Sequence, residues 1–319
     1  MLMFWEIITY QSRRSALSWR NVIISNPARL SCKDKSLVIS QDYDYRVPLE
    51  DISSIIIDSP QVVLTQPVLS KAADYGIAIY STDSSHTPNG IFLPFLQHNS
   101  PLRILNLQLN CPKPVSKRLR AAIISSKIHN QAQCLRITSL DGAGFLDSLS
   151  KQVRSGDPDN IESRAAIYYF KIIFGHNFGR RDETSYVNSC LNYGYAVLRG
   201  EIARRLVAHG LFPPLGIFHC NQKNSFNLAD DLIEPFRPIV DIFSRNYVNS
   251  LSDEEPFVLP KAQLVNLLNY EVSMPEGDMA ISLATEYVIE SYVRVLSNLI
   301  SKISLPIIKE FVPHQYSES

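Results

Sequence analysis

The hydrophobic pattern of this chain changes period once, near residue 100, and that change limits what it can fold into. Before it, apolar residues come in short, often β-branched runs cut by turn signals. VIISN (22–26) runs into Asn26-Pro27. ARLSC and SLVIS flank Lys33-Asp34-Lys35, which predicts a hairpin. ISSIIID (52–58) ends at Ser59-Pro60 and reads as a buried strand. One short helix is predicted next, with Pro67 in its first turn, where a missing N–H costs little, and Gly76 at its end. IAIYS (77–81) returns to strand, and Pro88-Asn89-Gly90 predicts a tight turn before IFLPF.

Beyond residue 100 the spacing is helical. Residues 113–138, 161–174 and 184–208 predict helices. In the last, Val187, Leu191, Val197, Leu198, Ile202 and Leu206 share a stripe, and Gly210 ends the run. Residues 227–247 predict a helix kinked or broken at Pro238. Residues 281–304 predict one long amphipathic helix, 250–260 an acidic loop, and 317–319 a frayed tail. The expected fold is α+β in two domains, a small β-rich domain over 1–99 and a larger all-α domain over 100–319.

Length and composition fit this plan. The 319 residues suffice for two cores, and 45% apolar with 19% charged residues marks a globular chain. Lys plus Arg is 31 and Asp plus Glu is 31, so net charge alone points to no polyanionic partner. The distribution is less even. No acidic residue lies between Asp83 and Asp141, a stretch holding Arg103, Lys113, Lys117, Arg118, Arg120, Lys127 and Arg136. Such a stretch either lines a phosphate track or is an ordinary solvated face. The five cysteines are scattered and never form C-x-x-C, which reads as reduced thiols rather than a disulfide framework or zinc cage. MLMFWEIITYQSRR has its basic residues after a five-residue apolar run, the reverse of a secretory signal. No run nears the ~20 apolar residues of a membrane span. A cytoplasmic protein is expected, with no membrane partner.

Three segments carry candidate chemistry. In DNIESRAAIYYFK (159–171), Asp159 or Asn160 can cap a helix whose first turn holds Glu162. Arg164, Tyr168 and Tyr169 follow closely, as phosphate donor or stacking platform, although the usual burial of aromatics favours the core for the two tyrosines. In GLFPPLGIFH (210–219), His219 ends a short apolar stretch after a Pro-Pro break. In SFNLADDLIEPFRP (225–238), Glu234 can share a helix face with Asp231 or Asp230, and such acidic pairs need a cation or proton between them. Arg237 is one candidate partner for Glu234. An imidazole with carboxylates is also a ligand set suited to Mg²⁺ or Mn²⁺. Spacing alone does not bring these distant residues together.

The whole chain resembles the CRISPR-associated spacer-acquisition integrases, the family numbered one among the CRISPR proteins. SNPARLS, VPLEDISSIIIDSPQ and HTPNGIFLP carry the likeness in the first part, and NIESRAA, LNYGYAVLR, GLFPPLGIFH and LADDLIEPFRP in the second. The details are most similar to members encoded beside a single-protein RNA-guided effector nuclease. The resemblance implies a β-rich dimerisation domain, a helical catalytic domain and one divalent ion, Mg²⁺ or Mn²⁺, per active site. It places the ligands at Glu162, His219 and Glu234, with Asp231 ligating or bracing. It implies transesterification of captured DNA 3′-OH ends into the CRISPR repeat. Implied partners are prespacer and repeat double-stranded DNA, a second copy in a homodimer, and the small second acquisition protein in a heterohexamer, with the effector nuclease as a further partner. Lys117, Arg118, Arg120 and Arg164 are the expected DNA contacts. The alternatives are a metal-dependent endonuclease on branched DNA, and a catalytically silent DNA-binding scaffold.

Overall fold

In a computed structural model of the chain, residues 20–84, 88–94, 98–182, 184–252 and 257–314 are described. The N-terminal segment and the tail at 317–319 lie outside them. Among these residues, the first part holds two four-stranded sheets. In one, β1 (Arg20–Ile24), β5 (Ile52–Ile57) and β7 (Ala78–Thr82) run parallel, and β8 (Pro88–Phe92) adds an antiparallel edge. In the other, the order is β4 (Asp44–Pro48), β3 (Ser36–Ser40), β2 (Ala28–Lys33), β6 (Val62–Leu64). The predicted β2–β3 hairpin turns on Asp34 and Lys35, both left-handed at φ 50° and 58°, the pair a two-residue hairpin loop requires. Helix α1 (Gln66–Tyr75) has Pro67 in its first turn and closes on left-handed Gly76.

Alternation along the parallel strands decides how the two parts join. Ile55, Ile77 and Ile79 face the second sheet and α1. Ile56, Ala78 and Tyr80 point the other way, into the large core of the helical part. The two parts approach closely at Gly200 on α6 (Tyr186–Ala208), where an added Cβ would lie 2.1 Å from the Tyr80 ring. Only glycine lets the helix lie against the sheet there.

The helical part comprises α2 (Pro101–Leu109), α3 (Lys113–Ile137), α4 (Ala143–Gln152), α5 (Ile161–Phe174), α6, α7 (Asn227–Leu232), α8 (Arg237–Ser250), α9 (Lys261–Asn266) and α10 (Ile281–Leu296). It is not all-α. Strands β9 (Glu271–Met274) and β10 (Gly277–Ala280) form an antiparallel hairpin before α10. Helix α10 also stops at Leu296 rather than 304, because Asn298 turns left-handed at φ 56° and the Leu299 N–H closes back on the Arg294 carbonyl. The predicted 227–247 helix is broken between Leu232 and Arg237, with Pro238 in the first turn of α8 where its missing N–H is harmless. The predicted Pro88-Asn89-Gly90 turn is strand instead, with Gly90 opposite Ser81 and an added Cβ there only 2.4 Å from the Ser81 hydroxyl. None of the five cysteines is in a disulfide. Among the described residues, no helix is long and apolar enough to cross a membrane.

Candidate metal centre

Four segments meet in the helical part. Glu162 opens α5, and its position is set by a cap that the sequence pattern did not suggest. Asn160 is left-handed and offers no side-chain cap, while Asp159 is held outside by Arg154 at 2.8–2.9 Å. Asp157 caps instead, its carboxylate accepting from the N–H groups of Ile161 at 2.9 Å and Glu162 at 3.1 Å.

His219 lies on the loop between α6 and α7, which wraps around Asp231. The N–H groups of Ile217, Phe218 and His219 all donate to the Asp231 carboxylate, and His219 Nδ1 lies 2.6 Å from Asp231 Oδ1. Gly216 permits the wrap, since an added Cβ would lie 2.2 Å from the His219 carbonyl oxygen. With Nδ1–H donated to Asp231, the lone pair falls on Nε2, the tautomer that serves as a metal ligand. The hydrogen bond to Asp231 raises the His219 pKa against the opposing effect of burial. Burial raises that of Asp231 despite this partner. Asp231 is wholly buried. Its neighbour Asp230 turns away to Arg199 and Asn224. Of the Asp230-Asp231 doublet, therefore, Asp231 faces His219.

Glu234 follows α7 and is buried. Arg237 donates to its Oε1 at 2.9 Å while lying over the Tyr195 ring. Its other oxygen, Oε2, is 2.7 Å from Lys127 Nζ, and the same ammonium is 2.7 Å from Glu162 Oε1. Lys127 comes from α3, three residues before Asn130. The buried Asn130 amide donates to the carbonyls of Pro235 (2.7 Å) and Pro306 (3.0 Å) and accepts from Ile308 N–H, fixing the chain just after Glu234. Burial would raise the Glu234 carboxyl, but Arg237 and Lys127 outweigh it and hold it at about 2. Burial would lower the Lys127 pKa, and the two glutamates reverse this and raise it.

The structure thus brings Glu162 and Glu234 to one cation. It sets His219 near enough for it and Glu234 to perturb each other's protonation. Among the described residues, no three His, Cys, Asp or Glu side chains are gathered closely enough to enclose an ion. The donors present fit a divalent ion chemically, as two carboxylates and an imidazole whose Nε2 carries the lone pair. Glu234 Oε2 points the same way. It is buried and has no aligned hydrogen-bond donor, only the charge contact with Lys127.

The structure treats the predicted DNA contacts unevenly. Arg164, Lys117 and Arg118 are exposed, and the Arg120 guanidinium lies 5.4 Å from the centroid of the Phe218 ring, beside His219. Lys127 belongs to the same basic stretch but turns inward. Tyr169 is core, donating to Asp241, while half-buried Tyr168 packs on Phe145.

The sequence pattern of the family described as "CRISPR associated protein Cas1" matches residues 22–258, which is most of the chain. The chain belongs to the Cas1 family. It is similar to the CRISPR-associated endonuclease Cas1 of Neisseria meningitidis serogroup C, with 38% identity over 304 residues covering 94% of this chain and 100% of that one. The fold is shared with a casposase bound to integration product, at TM-score 0.73 and 18% identity over 89% of this chain and 92% of that one. It is shared too with a chain of a Cas6-RT-Cas1–Cas2 complex, at TM-score 0.69 and 15% identity over 88% of this chain and 35% of that one.

Proposed function

We propose that this Cas1 protein is a divalent-metal-dependent DNA integrase of CRISPR adaptation. Glu162, His219 and Glu234 would hold Mg²⁺ or Mn²⁺, and Asp231 would act as the brace of His219. The observation that carries the reading is the convergence of Glu162 and Glu234 on one cation, beside an imidazole whose Nε2 is freed by Asp231. In the reaction, the 3′-hydroxyl oxygen of a captured DNA end attacks phosphorus in the repeat backbone. A new phosphodiester forms, the repeat strand's 3′-oxygen leaves with a proton, and the bond count is conserved, so no energy-rich cofactor is consumed. A bound divalent ion supplies polarisation of the phosphoryl oxygen and offsets charge on the attacking and leaving oxygens. The chain does the rest. Asp231 fixes the imidazole tautomer, Arg237 holds one oxygen of Glu234 and so aims the other, and Arg120, Lys117, Arg118 and Arg164 offer cations to the backbone phosphates.

The casposase that shares this fold is bound to integration product, which supports strand joining. The Cas1–Cas2 complex in the same comparison supports assembly with the small second acquisition protein. The full proposed assembly is a heterohexamer of two Cas1 dimers around that protein, acting on prespacer and repeat DNA. The name endonuclease carried by the Neisseria relative favours a second reading, cleavage of branched DNA with water in place of the 3′-hydroxyl.

A half-site joining assay separates the two. With a repeat-bearing duplex, a 3′-OH prespacer and Mn²⁺, covalently joined product is expected. Cleavage without joining would favour the nuclease. Glu162→Ala is expected to abolish joining while leaving DNA binding nearly intact, and joining that survives it would remove Glu162 from the site.

A further inference from the structure

Two carboxylates that converge repel unless a cation or a proton stands between them. Here the cation is built into the chain. Lys127 extends from α3 with its side chain only 13% exposed, and its ammonium is 2.7 Å from both Glu162 Oε1 and Glu234 Oε2. It differs in kind from the second cation at the site. The Arg237 guanidinium is a planar fork committed to Glu234 Oε1 and seated on Tyr195. An ammonium on a flexible four-carbon stem is a compact point charge with no preferred plane. The contact with Glu234 Oε2 is also a charge contact rather than an aligned hydrogen bond. Of the two cations, Lys127 is therefore the one another cation can replace at least cost.

We infer that Lys127 is the internal counter-cation of the Glu162–Glu234 pair and that a divalent ion binds there only by displacing its ammonium. The inference rests on the metal-site reading proposed above. Lys127 is then a positioning residue, which holds the two carboxylates together before the ion arrives and competes with it afterwards.

Two measurements on the full chain test this. The first uses the unmodified protein. Lysine acylation is read by peptide mass spectrometry with and without saturating Mg²⁺. Labelling of Lys127 is expected to rise severalfold with Mg²⁺, while exposed Lys117 stays constant. No rise at Lys127 overturns the inference. The second is Mn²⁺ binding by titration calorimetry to the wild type, Lys127→Met, Lys127→Gln and Glu162→Gln. Removing the competitor is expected to tighten Mn²⁺ binding about tenfold. It is also expected to lower the melting temperature of the metal-free protein, with Mn²⁺ restoring it. Glu162-dependent binding that is unchanged or weaker in the folded Lys127 variants overturns the inference and leaves the metal site standing. Absence of Glu162-dependent binding in every protein overturns the metal site and the inference together. Should the Lys127 variants not fold, the labelling result on the wild type decides.

Discussion

Glu201 on α6 and Glu234 after α7 are both buried carboxylates flanked by two cationic side chains, and their surroundings differ in one respect. Around Glu201 every partner is a guanidinium with a matched hydrogen bond. Arg204 forks onto both oxygens at 2.7 and 3.0 Å, and Arg205 donates to Oε1 at 2.7 Å. Arg205 continues to Glu286 on α10, whose other oxygen meets His209 at 2.6 Å. This cluster is closed and ties α6 to α10. Around Glu234 one oxygen is matched by Arg237, and the other meets only an ammonium shared with Glu162. Burial and charge are thus common to a structural cluster and to the proposed metal site. What separates them is whether the geometry leaves a carboxylate oxygen for something else.

Unfolding free energies give the widest separation. Glu201→Ala leaves two buried guanidiniums short of a partner and is expected to cost about 3–5 kcal/mol. Glu234→Gln keeps an amide for Arg237 and leaves Lys127 its Glu162 partner, so at most ~2 kcal/mol is expected. Urea denaturation of both variants measures this, and equal costs would erase the distinction.

A third buried carboxylate sharpens it. Asp241 on α8 accepts from the hydroxyls of Tyr169 and Tyr195. Burial outweighs those hydrogen bonds and the nearby Arg237 and Arg180, and pushes its pKa up to about 6. The folded value lies above the ordinary carboxylate value, so on acidification the folded state takes up this proton first. The cost of a charged Asp241 is present above pH 6 and relieved as pH falls from about 6 toward ~4. Its size is at most ~3 kcal/mol. Relative to wild type, Asp241→Asn is expected to gain stability at about pH 7.5 and to lose that advantage at about pH 4.5, by denaturant unfolding at each pH. An advantage that does not change with pH would mean Asp241 titrates normally.

The smallest effect concerns the expected DNA-contacting cations. Replacing Lys117, Arg118 and Arg120 with Ala is expected to reduce the slope of log affinity for DNA against log salt by about 0.9 for each phosphate left without its cation. An unchanged slope would make this stretch a solvated face.

These contrasts also explain what the sequence could convey. Helix α5 spans the predicted 161–174, and α3 and α6 come within two residues of prediction, because each is a long run that no proline interrupts after its first turn, although α6 is buried on most sides rather than along one stripe. The β9–β10 hairpin is invisible in the sequence because four-residue strands between helices give too short a pattern to show a period of two. The Asn89-Gly90 signal fails because glycine there answers a close neighbour, Ser81, and not a turn. At the site, Glu162, His219, Asp231 and Glu234 are reached through motifs and not through spacing. Lys127 escapes notice as a site residue because a lysine in an acid-free basic stretch reads as surface. A signal is present all the same. Lys127 falls four residues after Ile123 and three before Asn130, on a helix side whose other members are buried. A lysine and an asparagine at core positions of one helix ask for buried partners.

The proposed metal centre requires Glu162, His219 and Glu234 to close on one ion. Anomalous diffraction from a crystal soaked in Mn²⁺ tests that most directly. A single peak is expected within coordination distance of Glu162, Glu234 and His219 Nε2, with the Lys127 ammonium withdrawn from the carboxylates. A crystal saturated with Mn²⁺ that shows no peak there, with Lys127 still bridging the two glutamates, would contradict it.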